Sequence, residues 1–104
     1  MHLDPYVVEV LMPDLVGHDR TPAAFVVYLL LWSRTHAVGR TAVAMSLQMM
    51  VDDSGLSKSA VQAAIKRLAR RELIQIERRS TTAVPKYTVC RPWLRAASGV
   101  GADF

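Results

Sequence analysis

The sequence predicts a mainly α-helical domain with a small β-hairpin, an α+β fold built on three core helices. Three observations predict it: two short helical patterns meet at Gly55, an uncharged run covers residues 22–32, and two strand-like stretches, 73–79 and 86–90, flank a polar turn. Hydrophobic residues make up 51% of the 104 residues. This proportion excludes a disordered chain, and the length suits one domain with a modest core.

The N-terminal part precedes the helical domain. Residues 6–12 are mostly β-branched or apolar and are followed by Pro13, so they predict a strand or extended segment. Residues 14–20 then predict a loop. The chain is therefore expected to consist of an N-terminal extended segment and loop (1–20), the main domain (21–95) and a flexible C-terminal tail (96–104).

The first predicted helix is apolar on every side. Thr21 supplies an N-cap and Pro22 the first helical position, and the helix is expected to run to about Thr35. No charged residue occurs from Pro22 to Trp32. Such a helix must be buried on more than one side, and it is too short to span a bilayer.

The apolar surface of this helix also bears on the oligomeric state. One side is expected to pack on the helices that follow. Leaving the other side in water would expose a larger patch than soluble monomers usually show. Its cover is either the 6–12 segment or a second copy of the chain, and we favour a homodimer formed through Val26, Leu30 and the N-terminal segment.

Two helices are predicted to meet at a sharp turn in the middle of the chain. Ser46 is placed to cap the first helix and Ser57 to cap the second. Gly55 lies between them and can adopt the positive φ that stops a helix within one residue. Each helix has an apolar inner face, formed by Leu47, Met50 and Val51 in the first and by Val61, Ile65 and Leu68 in the second. This pattern predicts a helix-turn-helix, in which one helix braces another whose outer face can enter a DNA groove.

The second helix of the pair, about residues 57–71, has an outer face suited to DNA. With Val61 taken as the core direction, a step of about 100° per residue places small and cationic side chains outward. The outward side chains are Ser59, Ala63, Lys66 and Arg70. Gln62 and Arg67 lie on the flanks of this face. The alternative, a merely solvated basic face, is disfavoured because the turn and the charge bias coincide here.

Individual side chains of this helix have predicted roles at a base or a phosphate. The small centre at Ser59 and Ala63 lets the backbone approach base edges, and Ala63 can contact a thymine methyl group. Gln62 suits adenine, and Lys66 suits guanine. Lys58, together with the free N–H groups of the first turn, is expected to hold a phosphate.

A β-hairpin, about residues 73–90, is predicted to follow. Residues 73–79 alternate between apolar and polar side chains, and 86–90 form the expected partner strand, with Tyr87 and Val89 on one face. Cationic side chains flank the turn at Arg78, Arg79 and Lys86.

Charge is distributed unevenly along the chain. Residues 1–56 carry three basic and six acidic side chains, a net −3, whereas residues 57–104 carry ten basic and three acidic ones, a net +7. The positive charge begins where the second helix of the pair begins. This arrangement predicts a polyanionic partner, double-stranded DNA, on one side of the molecule.

Other classes of function find little support in the sequence. No nucleophile–base pair, paired carboxylates or phosphate-binding loop can be assembled, and His2, His18 and His36 are isolated without metal-ligand spacing. We therefore expect no enzymatic activity, cofactor or metal. Cys90 is the single cysteine, and no signal peptide is visible. Both observations favour a reducing, cytoplasmic and nucleoid-associated location, with no membrane as partner.

The order of these elements resembles the winged helix-turn-helix of bacterial transcription regulators. Residues 46–79 resemble the stretch shared by MarR-like and GntR-like domains, whereas residues 6–32 resemble small stand-alone winged-helix domains and plasmid replication initiators. The resemblance covers about residues 6–90. Two positions depart from the usual pattern, since Met49 stands where a capping-box Glu is common and Val51 stands where Ala is common.

The resemblance implies a recognition helix in the major groove and a wing on the adjacent backbone or minor groove. The recognition role falls on Lys58, Ser59, Gln62, Ala63, Lys66 and Arg67, and the wing role falls on Arg78, Arg79 and Lys86. Ser46, Ser57 and Arg70 complete the predicted set of DNA-binding residues.

The sequence therefore predicts sequence-specific binding of duplex DNA by a small bacterial-type transcriptional regulator. One alternative is a replication or partition protein of a mobile element. Another is a winged-helix adaptor between proteins, which would not need the change of charge at residue 57. No pattern in the chain specifies the operator, the sign of regulation or an inducer.

Overall fold

The computed structural model describes residues 1–80 and 83–94 of the chain. Three helices form the centre: α1 (Pro22–Ser33), α2 (Leu47–Ser54) and α3 (Lys58–Arg70). Three short strands, β1 (Ala42–Ala44), β2 (Ile74–Glu77) and β3 (Lys86–Val89), form an antiparallel sheet in the order β1-β3-β2. The predicted α+β fold with three core helices and a hairpin wing is confirmed.

The N-terminal segment is helical, so the prediction of a strand or extended segment at 6–12 and of a loop after it is wrong. Two stretches with the i→i+5 hydrogen bonds of a π-helix, Val7–Leu11 and Pro13–His18, occupy it. They bury three apolar side chains spaced four apart, Val7, Leu11 and Leu15. In a strand, residues two positions apart lie on the same face, so Glu9 would have pointed to the same side as Val7 and Leu11. Burial therefore overrides the β-propensity of the valines.

Helix α1 is buried on more than one side, as its lack of charge predicts. It packs against the second N-terminal helical stretch, α2, α3 and β3. Its buried residues are Ala24, Phe25, Val27, Tyr28, Leu31 and Trp32. The helix ends at Ser33, slightly before the expected end, because Thr35 leaves the helical conformation and donates its hydroxyl to the carbonyl of Leu31 at 2.8 Å.

The turn between α2 and α3 is built as the sequence predicts. The Ser46 hydroxyl accepts the N–H of Met49 at 3.1 Å, and the Ser57 hydroxyl accepts the N–H of Ala60 at 3.1 Å. Gly55 has φ of 78° and donates its N–H to the carbonyl of Val51 at 3.0 Å. A left-handed residue at this point ends α2 and lets α3 begin three residues later in a new direction.

The sheet contains one strand more than the predicted hairpin. Strands β2 and β3 pair in the register Ile76↔Tyr87, and Tyr87 and Val89 are both buried on the inner face. Strand β1 joins the other edge of β3, with Val43 opposite Tyr87. A strand of three residues is too short to produce an alternating signal in the sequence.

The end of the described chain returns to the N-terminal segment. The Trp93 ring stacks on that of Tyr6 with centroids 4.6 Å apart, and its indole N–H donates to the Asp4 carboxylate at 3.3 Å. The predicted tail, residues 96–104, and Arg95 lie outside the described residues.

Candidate nucleic-acid interface

Helix α3 divides into a buried and an exposed face, as predicted for a recognition helix. Val61, Ala64 and Leu68 are buried against the core. The opposite face is exposed at Lys58, Ser59, Gln62, Ala63, Lys66 and Arg70, while Arg67 is half-buried. The structure thus places the small centre and the long donors of α3 on one solvent-facing surface, which we call the α3 face.

The cations of α3 are not neutralised within the molecule. The helix contains no carboxylate. Among the described residues, none of the ion pairs involves Lys58, Lys66, Arg67 or Arg70. Their charge is therefore available to a partner, and neighbouring cations on one helix attract a polyanion more strongly than isolated ones.

Two of the three serines of the predicted set, Ser46 and Ser57, have their hydroxyls engaged in helix caps. Ser57 accepts from Ala60 and also lies 3.3 Å from the Ser59 hydroxyl, and Ser46 accepts from Met49. Each cap orients the first turn of its helix. At the start of α3 this leaves the first N–H groups directed out of the helix end, beside the Lys58 side chain.

The wing presents different side chains on its two faces. Ile74, Ile76 and Arg78 alternate onto the face toward α3, whereas Glu77 and Arg79 lie on the other face. Lys86 pairs with Glu77 at 3.4 Å, and both side chains are more than half exposed. Such a surface pair contributes little stability, but it offsets part of the positive charge predicted for the wing.

An open groove separates α3 from the wing. Its volume is about 430 Å³, and Gln62, Ile65, Lys66, Ile76, Arg78 and Tyr87 contribute to its walls. We call it the α3–wing groove. Burial raises the pKa of Tyr87, and the positive charge of Arg78, which lines the same groove, opposes that rise.

One cation at the end of α3, Arg71, has a structural role that the sequence did not reveal. Arg71 donates to the Asp14 carboxylate at 2.7 Å and to the Asp19 carboxylate at 2.6 Å. The hydrogen bond with Asp14, followed by that with Asp19, raises the pKa of Arg71. These three residues, the Arg71 clasp, fasten α3 to the N-terminal segment. Arg71 lies more than fifty positions from each of the two aspartates, so no local pattern could have joined them.

Loss of the Arg71 clasp should destabilise the domain. Arg71→Ala leaves two partly buried carboxylates without their shared partner, and we expect the free energy of unfolding to fall by about 1–3 kcal/mol. Urea denaturation measures the change. Arg34→Ala is the matched control, since it removes one exposed arginine that pairs with Asp53 at 3.0 Å and should cost less than about 1 kcal/mol. Equal losses in the two variants would contradict a special role for Arg71.

The described residues bear on three other features: a metal site, the single cysteine and a membrane-spanning helix. No group of three or more His, Cys, Asp or Glu side chains within it could hold a metal ion. Cys90 is half-buried and forms no disulfide. Among the described helices, none combines the length and the apolar character needed to cross a membrane.

Comparison with known proteins agrees with this geometry. A family model described as a helix-turn-helix domain matches residues 21–74, from the start of α1 to the start of β2. No curated protein and no solved structure matches the chain. Because the match covers more than half of the chain and includes both helices of the turn, the chain belongs to the family of helix-turn-helix domains, a membership that indicates DNA binding.

Proposed function

We propose that this protein binds duplex DNA sequence-specifically as a small bacterial-type transcriptional regulator. The observation that carries the proposal is the α3 face, where four cations surround a centre of small side chains. These cations, Lys58, Lys66, Arg67 and Arg70, form no ion pair with any described residue. In the proposed complex α3 lies in the major groove, and the wing contacts the flanking backbone or minor groove. The change from a net −3 to a net +7 at residue 57 disfavours an adaptor that binds only protein.

Within the α3 face, base reading is assigned to the exposed middle of the helix. Ser59 and Ala63 leave room for close approach of base edges, and Gln62 can form two hydrogen bonds with adenine. Lys58, at the first turn, and Arg67 and Arg70, farther along the helix, are assigned to phosphates. Phosphate contacts set the register of the protein on DNA, and base contacts carry the sequence preference.

The oligomer that we propose is a homodimer formed through α1 and the N-terminal segment. Of the twelve exposed large hydrophobic residues among the described positions, seven lie between Met1 and Val26. Four of them, Val8, Met12, Val16 and Val26, are between 37% and 43% exposed. The N-terminal segment itself covers one side of α1. It also exposes apolar side chains of its own, and a second copy would bury them together with Val26.

Selection from random duplex DNA is the direct test of the proposed function. We expect one enriched site, and a two-fold symmetric site with half-sites about 34 Å apart if the dimer is correct. A regulator and a replication protein would both pass this test, and the genomic position of the sites would separate them. Failure to enrich any sequence would contradict sequence-specific binding.

Gln62 should carry part of the sequence preference. Gln62→Ala is expected to weaken binding to the selected site by about 1–3 kcal/mol and to relax the preference at one base pair, because a bidentate contact with adenine is lost. Repeating the selection with the variant measures both effects. Gln48→Ala is a matched control, since Gln48 is exposed on α2 and its amide donates to Asp52 at 2.8 Å. An unchanged base preference in Gln62→Ala would remove Gln62 from the reading surface.

A further inference from the structure

The α3–wing groove combines apolar side chains with two cations that come from its two sides. Lys66 comes from α3 and Arg78 from the wing, and both line the groove. Ile65 and Ile76 are part of the same lining. Ile76 is 43% exposed, although it is a large apolar residue. The groove therefore exposes apolar surface to water beside two positively charged side chains.

The two cations of the groove have no acidic partner among the described residues. None of the residues that line it is acidic, and neither Lys66 nor Arg78 takes part in an ion pair among the described residues. Arg79, one position farther along, lies on the opposite face of the wing with Glu77 and Lys86. The two consecutive arginines of the wing are thus in different electrostatic surroundings.

The position of Lys66 on the helix determines which partner it can reach. Lys66 and Gln62 are four residues apart, and both line the groove. Ser59 and Ala63 do not line it, and they form the part of the α3 face that points most directly away from the core. Lys66 therefore lies on the wing side of the α3 face, with Gln62 and away from Ser59 and Ala63.

We propose that the α3–wing groove binds one sugar-phosphate unit of a DNA strand, with Lys66 and Arg78 holding the same phosphate from opposite walls. The proposal rests on duplex binding as the function of the protein. The phosphate supplies the anion that both cations lack, and the C–H groups of deoxyribose cover Ile65 and Ile76. Lys66 then binds the backbone, in place of the guanine contact predicted from the sequence.

Phosphate neutralisation along a defined duplex tests this proposal. The duplex carries the selected site, and each phosphate in turn is replaced by an uncharged methylphosphonate. Binding is measured by fluorescence anisotropy for the wild type, Lys66→Ala, Arg78→Ala and the double variant. Arg79→Ala is the matched control, because it removes the same charge from the other face of the wing. All three substituted residues are exposed, so circular dichroism should show unchanged folding.

One phosphate position should respond to both residues. Neutralising it should weaken the wild type by roughly tenfold at about 0.1 M salt. Lys66→Ala and Arg78→Ala should each lose most of that sensitivity at the same position, and the double variant should bind more tightly than the product of the single effects predicts. Arg79→Ala should keep the sensitivity at this position and lose it at another.

Several outcomes would overturn the proposal. If Lys66→Ala and Arg78→Ala lost their sensitivity to methylphosphonate substitution at different phosphates, the two cations would not share one phosphate. Strictly additive losses of affinity in the double variant would have the same meaning. A changed base preference in Lys66→Ala would return this residue to base reading. In these cases duplex binding by the protein stands. Absence of binding by the wild type at low salt would overturn both the shared phosphate and the proposed function.

Discussion

Binding to duplex DNA is expected to weaken by about two orders of magnitude for one subunit, and by about four for the proposed dimer, when monovalent salt rises from about 50 to about 200 mM. If each subunit neutralises about four phosphates, log K falls with log salt at a slope near −4 per subunit, because condensed counterions are released on binding. The cations available for this are on α3 and the wing, where most have no described ion pair. Anisotropy titrations at several salt concentrations measure the slope.

Variants with matched charge loss locate the source of this dependence. Lys58→Ala with Arg70→Ala should reduce the magnitude of the slope by about two. Arg34→Ala should leave it unchanged, since that guanidinium already binds Asp53 at 3.0 Å. A slope near zero for the wild type would sink the nucleic-acid interpretation of the charge distribution.

A single negative charge at Val26 should convert the proposed dimer into a folded monomer. Val26 is 37% exposed on α1, so a glutamate there remains solvated in the monomer and is buried without a partner only in the dimer. Sedimentation at micromolar concentration measures the mass of the wild type and of Val26→Glu. Leu30→Glu is a harsher change, because Leu30 is half-buried, and it should give monomer or unfolded protein.

A control on a distant apolar residue makes this result specific. Val38→Glu places the same charge at a side chain that is 62% exposed in the turn after α1, and it should leave the dimer intact. If the wild type sediments as a monomer, the N-terminal segment alone covers enough of the side of α1 that would otherwise face water, and the dimer is wrong. Dissociation of Val38→Glu as well would point to a different interface.

The sequence by itself determined the central helix-turn-helix. The caps at Ser46 and Ser57 and the left-handed Gly55 act within three or four residues, so each can be inferred from its own neighbourhood. Helical periodicity also determined which side of α3 is buried, because the core side chains recur along a single helix. The prediction of the exposed residues on α3 required nothing beyond that periodicity.

Tertiary structure decided the features that join distant parts of the chain. The valines near the N-terminus favour a strand by propensity, yet burial of Val7, Leu11 and Leu15 in the core makes the segment helical. The Arg71 clasp joins residues 52 and 57 positions apart, and the α3–wing groove exists only because the hairpin folds back beside Lys66. Short-range patterns encode caps, turns and helix faces, whereas pairings between remote residues depend on how the completed elements pack.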